Sequence, residues 1–175
     1  KNILVFAGSN SSKSINKQLA TYAASLVDNS NETILDLNDF DLPIYDIDLE
    51  NKSGIPDNAK MFHKHIKETD GIILSLAEHN GAYATVFKNL FDWMSRLEPK
   101  TFGGKPMLLM STSPGARGGA SVMAIAKDRF PRHDAHIVTE FSLPLFNDKF
   151  ADGKIIDLEL DSDLREAVQA FEKAL

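Results

Sequence analysis

Residues 4–20 read LVFAGSNSSKSINKQLA. A short apolar run stops at Gly8, and six of the next eight residues, from Ser9 to Asn16, are Ser or Asn. An amphipathic segment follows, with Ile15, Leu19, Tyr22, Ala23 and Leu26 at helical spacing. The pattern predicts a buried strand, a polar loop and a helix. A helix start exposes unpaired N–H groups and the positive end of the helix dipole, and hydroxyl and amide side chains add short donors. An anion, above all a phosphate, is the natural guest of such a loop. Capping by Ser12 or Ser14 accounts for one of these residues, not for Ser9, Asn10, Ser11, Ser12, Ser14 and Asn16 together.

The glycine pattern narrows the guest. A dinucleotide fingerprint needs G-x-G-x-x-G, and only Gly8 is present. The nucleoside-triphosphate loop is approached by GSNSSKS, but the loop is one residue short and Ser12 stands at the second glycine. A hydroxyl-rich loop with few glycines suits one terminal phosphate gripped by side chains, as in a mononucleotide such as FMN.

Working outward, five apolar runs read as strands, at residues 3–7, 33–37, 71–76, 106–111 and 136–143. They are mostly continuous rather than alternating, as in a parallel sheet covered on both faces. Helical patterns lie between them near residues 15–26, 56–68, 86–97 and 121–130. A last helix is expected over 161–175, capped by Asp161 or Ser162. Five strand–helix alternations predict a doubly wound α/β sheet. Ligands of such sheets bind beyond the carboxyl ends of the strands, so the loops after strands one, three and four are the candidates. The acidic connector DFDLPIYDIDLENKSGIP (39–56) either borders the same site or crosses the surface.

Composition bounds the rest. With 19 Lys and Arg against 25 Asp and Glu, the net charge is −6, and no basic stripe offers itself to nucleic acid. The absence of cysteine removes thiol catalysis, disulfides and thiolate metal sites, and fits the cytoplasm. No apolar run reaches the roughly 20 residues of a membrane span, and that at 3–7 is too short for a signal-peptide core. The length suits a single domain over residues 1–175. His63 and His65 face different sides of a helix, and His133 and His136 lack a third ligand, so both pairs read as surface histidines and no metal site is expected.

After the third strand, Asn80-Gly81 marks a turn, Asn80 offers an amide, and His79 either stacks on a flat ligand or is an exposed loop histidine. After the fourth comes STSPGARGGAS, where Pro114, Gly115, Gly118 and Gly119 let backbone lie against a planar ring or simply make a flexible connector. Arg117 either meets an anionic substrate or nicotinamide-cofactor phosphates, or is an exposed Arg without such a task. Glu78 reads as a loop carboxylate accepting backbone hydrogen bonds, with a proton source as the alternative, and Lys88 with Asp92 as a helix ion pair. In the third helix, Val86, Leu90, Trp93 and Leu97 serve the core, while a second stripe of Phe87, Phe91 and Met94 is either deeply buried or a subunit interface.

Together these segments resemble the NADPH-dependent FMN reductase family, which includes quinone, chromate and azo-dye reductases. Gly8, Ser9, Ser14 and Asn16 match its G-S-x-R-x-x-S-x-N loop; Ser11 stands where Arg is usual, and Lys13 is the cation that compensates in this reading. Glu78, Asn80, Gly81, Lys88, Asn89, Asp92 and Trp93 match its P-E-Y-N-G-S-x-P-G-x-L-K-N-x-x-D-W segment, with Ala77, His79 and Ala84-Thr85 as departures. Ser113, Pro114, Gly115, Gly118 and Gly119 match S-P-G-x-x-G-G, and DLPIYDID (41–48) is similar to its L-P-x-Y-D segment.

The resemblance implies a flavodoxin-like three-layer α/β/α sandwich, with a five-stranded parallel sheet in the order 2-1-3-4-5. It implies FMN bound non-covalently, its phosphate held by Ser9, Ser11, Ser14, Ile15 and Asn16. Glu78, His79, Asn80 and Gly81, with Ser113, Pro114, Gly115, Gly118 and Gly119, would border the isoalloxazine. It implies NADPH or NADH as co-substrate, a small-molecule acceptor, ping-pong turnover, and a homodimer or homotetramer. A cationic His79 beside the ring would favour the anionic reduced flavin. A flavodoxin-type electron carrier and a flavin-free binding domain of the same fold are the rival readings.

Overall fold

The computed structural model describes residues Lys1–Leu175. Its centre is a parallel sheet of five strands: β1 (Asn2–Gly8), β2 (Asn31–Leu35), β3 (Gly71–Leu76), β6 (Pro106–Thr112) and β7 (His136–Leu143). Their order is β2-β1-β3-β6-β7, the expected 2-1-3-4-5 among the core strands. Two small antiparallel ribbons, β4–β5 (Glu78–His79, Ala82–Tyr83) and β8–β9 (Phe150–Ala151, Lys154–Ile155), lie outside it.

The continuous apolar runs reflect burial on both faces, because alternate residues of a strand point to opposite sides. Leu4, Phe6, Ile72, Leu74, Met107 and Leu109 pack under α3 (Asp57–Glu68), α4 (Thr85–Leu97) and α5 (Ala120–Arg129). Ile3, Val5, Ile73, Leu108 and Met110 pack under α1 (Ile15–Ser25) and α7 (Leu158–Ala174). No helix is long and apolar enough to cross a membrane.

Register places the functional loops. Gly8 pairs with Leu76, Leu76 with Ser111, and Ser111 with Ser142. The carboxyl ends of four strands therefore form one row, and the loops leaving them share one edge of the molecule.

Several expectations need correction. The second strand was expected as a buried run at 33–37, but β2 spans Asn31–Leu35 and is exposed along most of its length. It is an edge strand, and its expected end is taken up by a turn at Leu37–Asp39, where the Asp36 carboxylate accepts from Asn38 N at 2.9 Å. The last helix starts three residues early. Asp157 caps it by accepting from Leu160 N at 3.2 Å, whereas Asp161 bonds Tyr22 and Arg165 instead. His63 is not a surface residue: it is 6 % exposed on the inner side of α3, and burial holds its pKa below the ordinary value. His133 is half-buried, its ring 4.7 Å from that of Phe91. Phe87, Phe91 and Met94 are buried within the chain itself, so the second stripe of α4 belongs to the core, while Leu97 is exposed. The Lys88–Asp92 ion pair is present at 2.8 Å.

The acidic connector carries an unforeseen helix, α2 (Ile47–Ser53), and is strapped to α4. Trp93 Nε1 donates to Pro43 O at 2.7 Å, and Asn89 both accepts from Tyr45 N (2.8 Å) and donates to Pro43 O (3.0 Å). Glu50 accepts from the Tyr45 hydroxyl and pairs with Arg96 at 3.0 Å, both of which hold its carboxyl below the usual range. The Asn and Trp of K-N-x-x-D-W are thus holders of the strap that carries L-P-x-Y-D.

Tyr83 packs its ring on Phe130 (6.1 Å, 3° between planes) and against Phe87, with a buried hydroxyl that has no hydrogen-bond partner. Burial pushes this phenol from 10.0 to about 12. A pKa raised in the folded state stabilises the fold fully below the unfolded value, and that contribution is lost as pH rises through the folded value. Chemical denaturation of Tyr83→Phe should therefore give a stability equal to or above wild type at pH 7, since an orphaned buried hydroxyl costs about 1–3 kcal/mol. Between the pH values bracketed by 10.0 and about 12 the variant should lose less stability than wild type.

Candidate functional site

At the carboxyl edge of the sheet lies a cavity of ≈ 340 Å³. Ser9, Ser11, Lys13 and Ser14 form its wall from the first loop, Glu78 and His79 from the ribbon after β3, Thr112 from the end of β6, and Ser113 and Pro114 from the loop after it. Three loops far apart in sequence thus share one cavity, of the size class that takes small ligands and cofactors.

The first loop supplies donors. Ser14 is the N-cap of α1, its Oγ accepting from Lys17 N at 3.1 Å. Ser9 Oγ accepts from Ser11 N at 3.2 Å, and Ser11 Oγ from Lys13 N at 3.3 Å. In each case the oxygen is occupied as an acceptor, which leaves the hydroxyl hydrogen free to donate outward. The N–H groups of Ile15 and Asn16 have no acceptor within the protein. Hydroxyls and helix-start amides together make an anion cradle. The single glycine answers to packing instead: a Cβ on Gly8 would stand 2.9 Å from Leu76 Cδ2 and 3.2 Å from Phe87 Cγ.

Asn16 requires correction. Its side chain is not aimed at a ligand: the residue is 2 % exposed and its amide is engaged inside the protein. Its Oδ1 accepts from Ser75 Oγ (2.7 Å) and Thr112 N (3.0 Å), and its Nδ2 donates to Thr112 O (3.2 Å). It ties the start of α1 to β3 and β6, and leaves only its backbone N–H for an anion.

After β3, Asn80 and Gly81 take φ of 52° and 76°, the two positive values of a type I′ hairpin turn. The Asn-Gly pair predicted this turn. It sits at the ribbon tip, so Glu78 and His79 reach the cavity wall while Asn80 and Gly81 lie beyond it. His79 is exposed. Glu78 Oε2 accepts from Val122 N at 2.8 Å, so the carboxylate caps α5 from outside and ties the third loop to the fourth.

In the fourth loop, Ser113 and Pro114 line the cavity, whereas Gly115 and Arg117 are exposed outside its wall. Arg117 Nη2 donates to Ser121 Oγ at 3.2 Å. Gly118 and Gly119 are buried, with φ of 56° and 82°. Added Cβ atoms would come 2.5 Å from Ser142 Oγ and 2.8 Å from Ser111 Cβ. These two glycines seat the loop on β6 and β7, which corrects the expectation that they face the ring. Gly118 O accepts from both Ser111 Oγ (2.8 Å) and Ser142 Oγ (2.7 Å).

The turn that precedes the acidic connector abuts the first loop, while no residue of 39–56 lines the cavity. Asn38 Nδ2 donates to Asn10 O at 3.1 Å, and Lys17 pairs with Asp36 at 2.6 Å, which holds the Asp36 carboxyl below its ordinary range. Sequence reading missed Asn38, Ser75 and Thr112. Thr112 was open to discovery, as it immediately precedes the loop at Ser113. Ser75 and Asn38 carry no local signal.

The fold that carries these three loops is a flavodoxin-like α/β sandwich. Residues 1–148 match the model of the NADPH-dependent FMN reductase family, and the chain belongs to that family. FMN and a nicotinamide cofactor are the cofactors that this membership brings. A 2-hydroxy-1,4-benzoquinone reductase of Burkholderia sp is 31% identical over 174 residues, covering 97% of this chain and 91% of that protein. A quinone reductase of Escherichia coli (strain K12) is 35% identical over 80 residues, which are 46% of this chain and 43% of that reductase, so the match spans less than half of its length. Among solved structures, the flavoenzyme NAD(P)H:(acceptor) oxidoreductase FerB of Paracoccus denitrificans superposes with a TM-score of 0.79 at 25% identity, covering 99% of this chain and 96% of that one.

Replacing Asn16 with Ala should orphan the buried Thr112 N–H and remove the Ser75 contact. Urea unfolding should show a loss of about 2–4 kcal/mol, the cost of buried groups left unpaired. A loss below about 1 kcal/mol would contradict a clamp.

Proposed function

We propose that residues 1–175 form one flavodoxin-like domain that acts as an FMN-dependent NAD(P)H oxidoreductase, passing electrons to a small acceptor. The acceptor class is free flavin, a quinone, chromate or an azo compound, and the benzoquinone reductase relative supports the quinone reading. The carrying observation is the single cavity walled by three strand-end loops, with uncommitted donors on the first of them.

Bound FMN would supply the hydride and electron chemistry, in two half-reactions of a ping-pong cycle. The chain's own residues bind and orient. The hydroxyls of Ser9, Ser11 and Ser14 and the N–H groups of Ile15 and Asn16 hold the phosphate. Glu78 and His79 border the ring on one side and Ser113 and Pro114 on the other, with Asn80, Gly81 and Gly115 just beyond the wall. Gly118 and Gly119 fix the course of that second loop. Glu78 is spent as the cap of α5, so it holds a loop in place rather than moving a proton. Arg117, exposed outside the wall, stands where an anionic co-substrate would approach.

The active form is read as a cytoplasmic homodimer. A larger groove of ≈ 720 Å³ runs between α4 and α5, away from the strand ends. Lys88 and Arg129 lie on it with Asp92 and Asp128, around Phe91 and the exposed Ile125. Both signs of charge around apolar residues are what a two-fold contact between copies can match with each other.

Two measurements test this. Denaturing the purified protein should release FMN, identified by mass, and anaerobic NADPH or NADH should bleach the native protein within seconds to minutes. Release of FMN without bleaching would leave an electron carrier, and failure to bind added FMN would leave a flavin-free domain. For the assembly, light scattering should give the mass of two chains for wild type and of one for Ile125→Asp.

A further inference from the structure

We infer that the protein carries a second ligand site, at the amino-terminal edge of the sheet, that takes a small phosphomonoester bearing hydroxyl groups. This site stands independently of the FMN reading. A cavity of ≈ 350 Å³ lies there. Lys105 and Asp134 enter its wall just ahead of β6 and β7, whose first residues Pro106 and His136 are paired, so it sits at the opposite end of the strands from the cofactor loops. Lys67 reaches it from the last turn of α3, and Lys100 from the turn after α4.

Three ammonium groups from three parts of the chain thus meet on a protein whose net charge is −6. None of the three makes an ion pair or a side-chain hydrogen bond, whereas the other two lysines of α3 do: Lys60 pairs with Asp57 at 3.5 Å and Lys64 with Glu68 at 3.6 Å. Beneath the lysines, the floor holds two further polar groups. His63 is 6 % exposed, and its imidazole interacts with the Thr101 backbone, which takes one ring nitrogen and leaves the other free. Thr101 is fully buried, and its N–H has no acceptor within the protein. A free imidazole nitrogen gains a proton beside a dianion and becomes a donor to it. Ammonium groups bind as point charges, and a phosphomonoester concentrates about two negative charges in one group at pH 7.

The wall also carries two carboxylates, and they narrow the class. Glu98 Oε1 accepts from Lys100 N at 3.0 Å and is held to the main chain. The Asp134 carboxylate has no partner; it repels a bare dianion but accepts from a hydroxyl. Inorganic phosphate therefore meets only the cationic half of the site, whereas the phosphate ester of a sugar or polyol meets both halves. The cavity is in the size class that holds such a ligand.

Ribose 5-phosphate is the probe, titrated into FMN-loaded protein and followed by NMR at the His63 imidazole and the Thr101 amide. Both signals should move along one saturation curve. Burial chiefly, with Lys67 on the same side and the Thr101 backbone and Glu98 opposing, holds the His63 pKa below its ordinary value, and bound dianion should raise it. Lys100→Gln combined with Lys105→Gln should weaken binding about tenfold or more, while Lys64→Gln, which removes a charge elsewhere on α3, should leave it unchanged. Asp134→Asn keeps a residue suited to the φ of 61° and should weaken the ester while strengthening inorganic phosphate. No saturation by about 10 mM probe overturns the site. So does saturation that leaves His63 and Thr101 unmoved, or unchanged affinity in the double lysine variant. Inorganic phosphate binding as tightly as the ester overturns the ligand class. The same two signals report this cavity in protein that takes up no FMN, so the two readings fail separately.

Discussion

The side chain of Asn16 is the contact on which the site's geometry depends. One amide joins the first turn of α1 to Ser75 near the end of β3 and to both backbone groups of Thr112 at the end of β6. The three elements that carry the candidate loops are thereby held in one relation at the point where those loops depart. The clamp is buried, and in a low-dielectric interior each unmade bond would cost more than at the surface. Its strength is therefore also its specificity: few other side chains can accept twice and donate once in that position.

Around the clamp, polar contacts fix each loop to the next. Glu78 caps α5 from the ribbon after β3 and so ties the third loop to the start of the helix that follows the fourth. Asn38 holds the carbonyl of Asn10 and brings the acidic connector to the first loop. Gly118 and Gly119 allow the fourth loop to sit directly on β6 and β7, with Ser111 and Ser142 both donating to Gly118 O. What stays free after this internal pairing is a set of donors: hydroxyl hydrogens, two helix-start amides and one ammonium group. Open donors concentrated on the first loop suit an anion there, across the cavity from the Glu78 carboxylate. The same logic separates residues that resemble one another in sequence. Ser9, Ser11 and Ser14 keep a hydrogen to give, whereas the Asn16 amide is occupied inside the protein.

Much of the fold was legible because it rests on local periodicity. Continuous apolar runs marked strands buried on two faces, helical stripes marked the covering layers, and Asn80-Gly81 marked a hairpin turn by its need for positive φ. The first loop stood out as a candidate because six Ser and Asn residues in eight exceed what a cap requires. Errors arose where the answer lay in a distant partner. The burial of β2 was misjudged since a short stretch around Ile34, Leu35 and Leu37 reads alike at the centre and at the edge of a sheet. Asp161 looked like a cap, but Tyr22 and Arg165 claim it. The glycines of the fourth loop looked like room for a ligand, but the strands beneath them require that room.

The sequence by itself determined the α/β class, the place of the five sheet strands and of the five covering helices to within a few residues, and the polar make-up of the first loop, since all of these follow from side-chain type and spacing along the chain. The tertiary structure alone decided which polar residues are spent and which are free. That partition depends on pairs such as Asn16 with Ser75 or Glu78 with Val122, whose members are 59 and 44 positions apart. Hydrogen bonds are settled by proximity in space, and separations of that length leave no periodic trace in the chain.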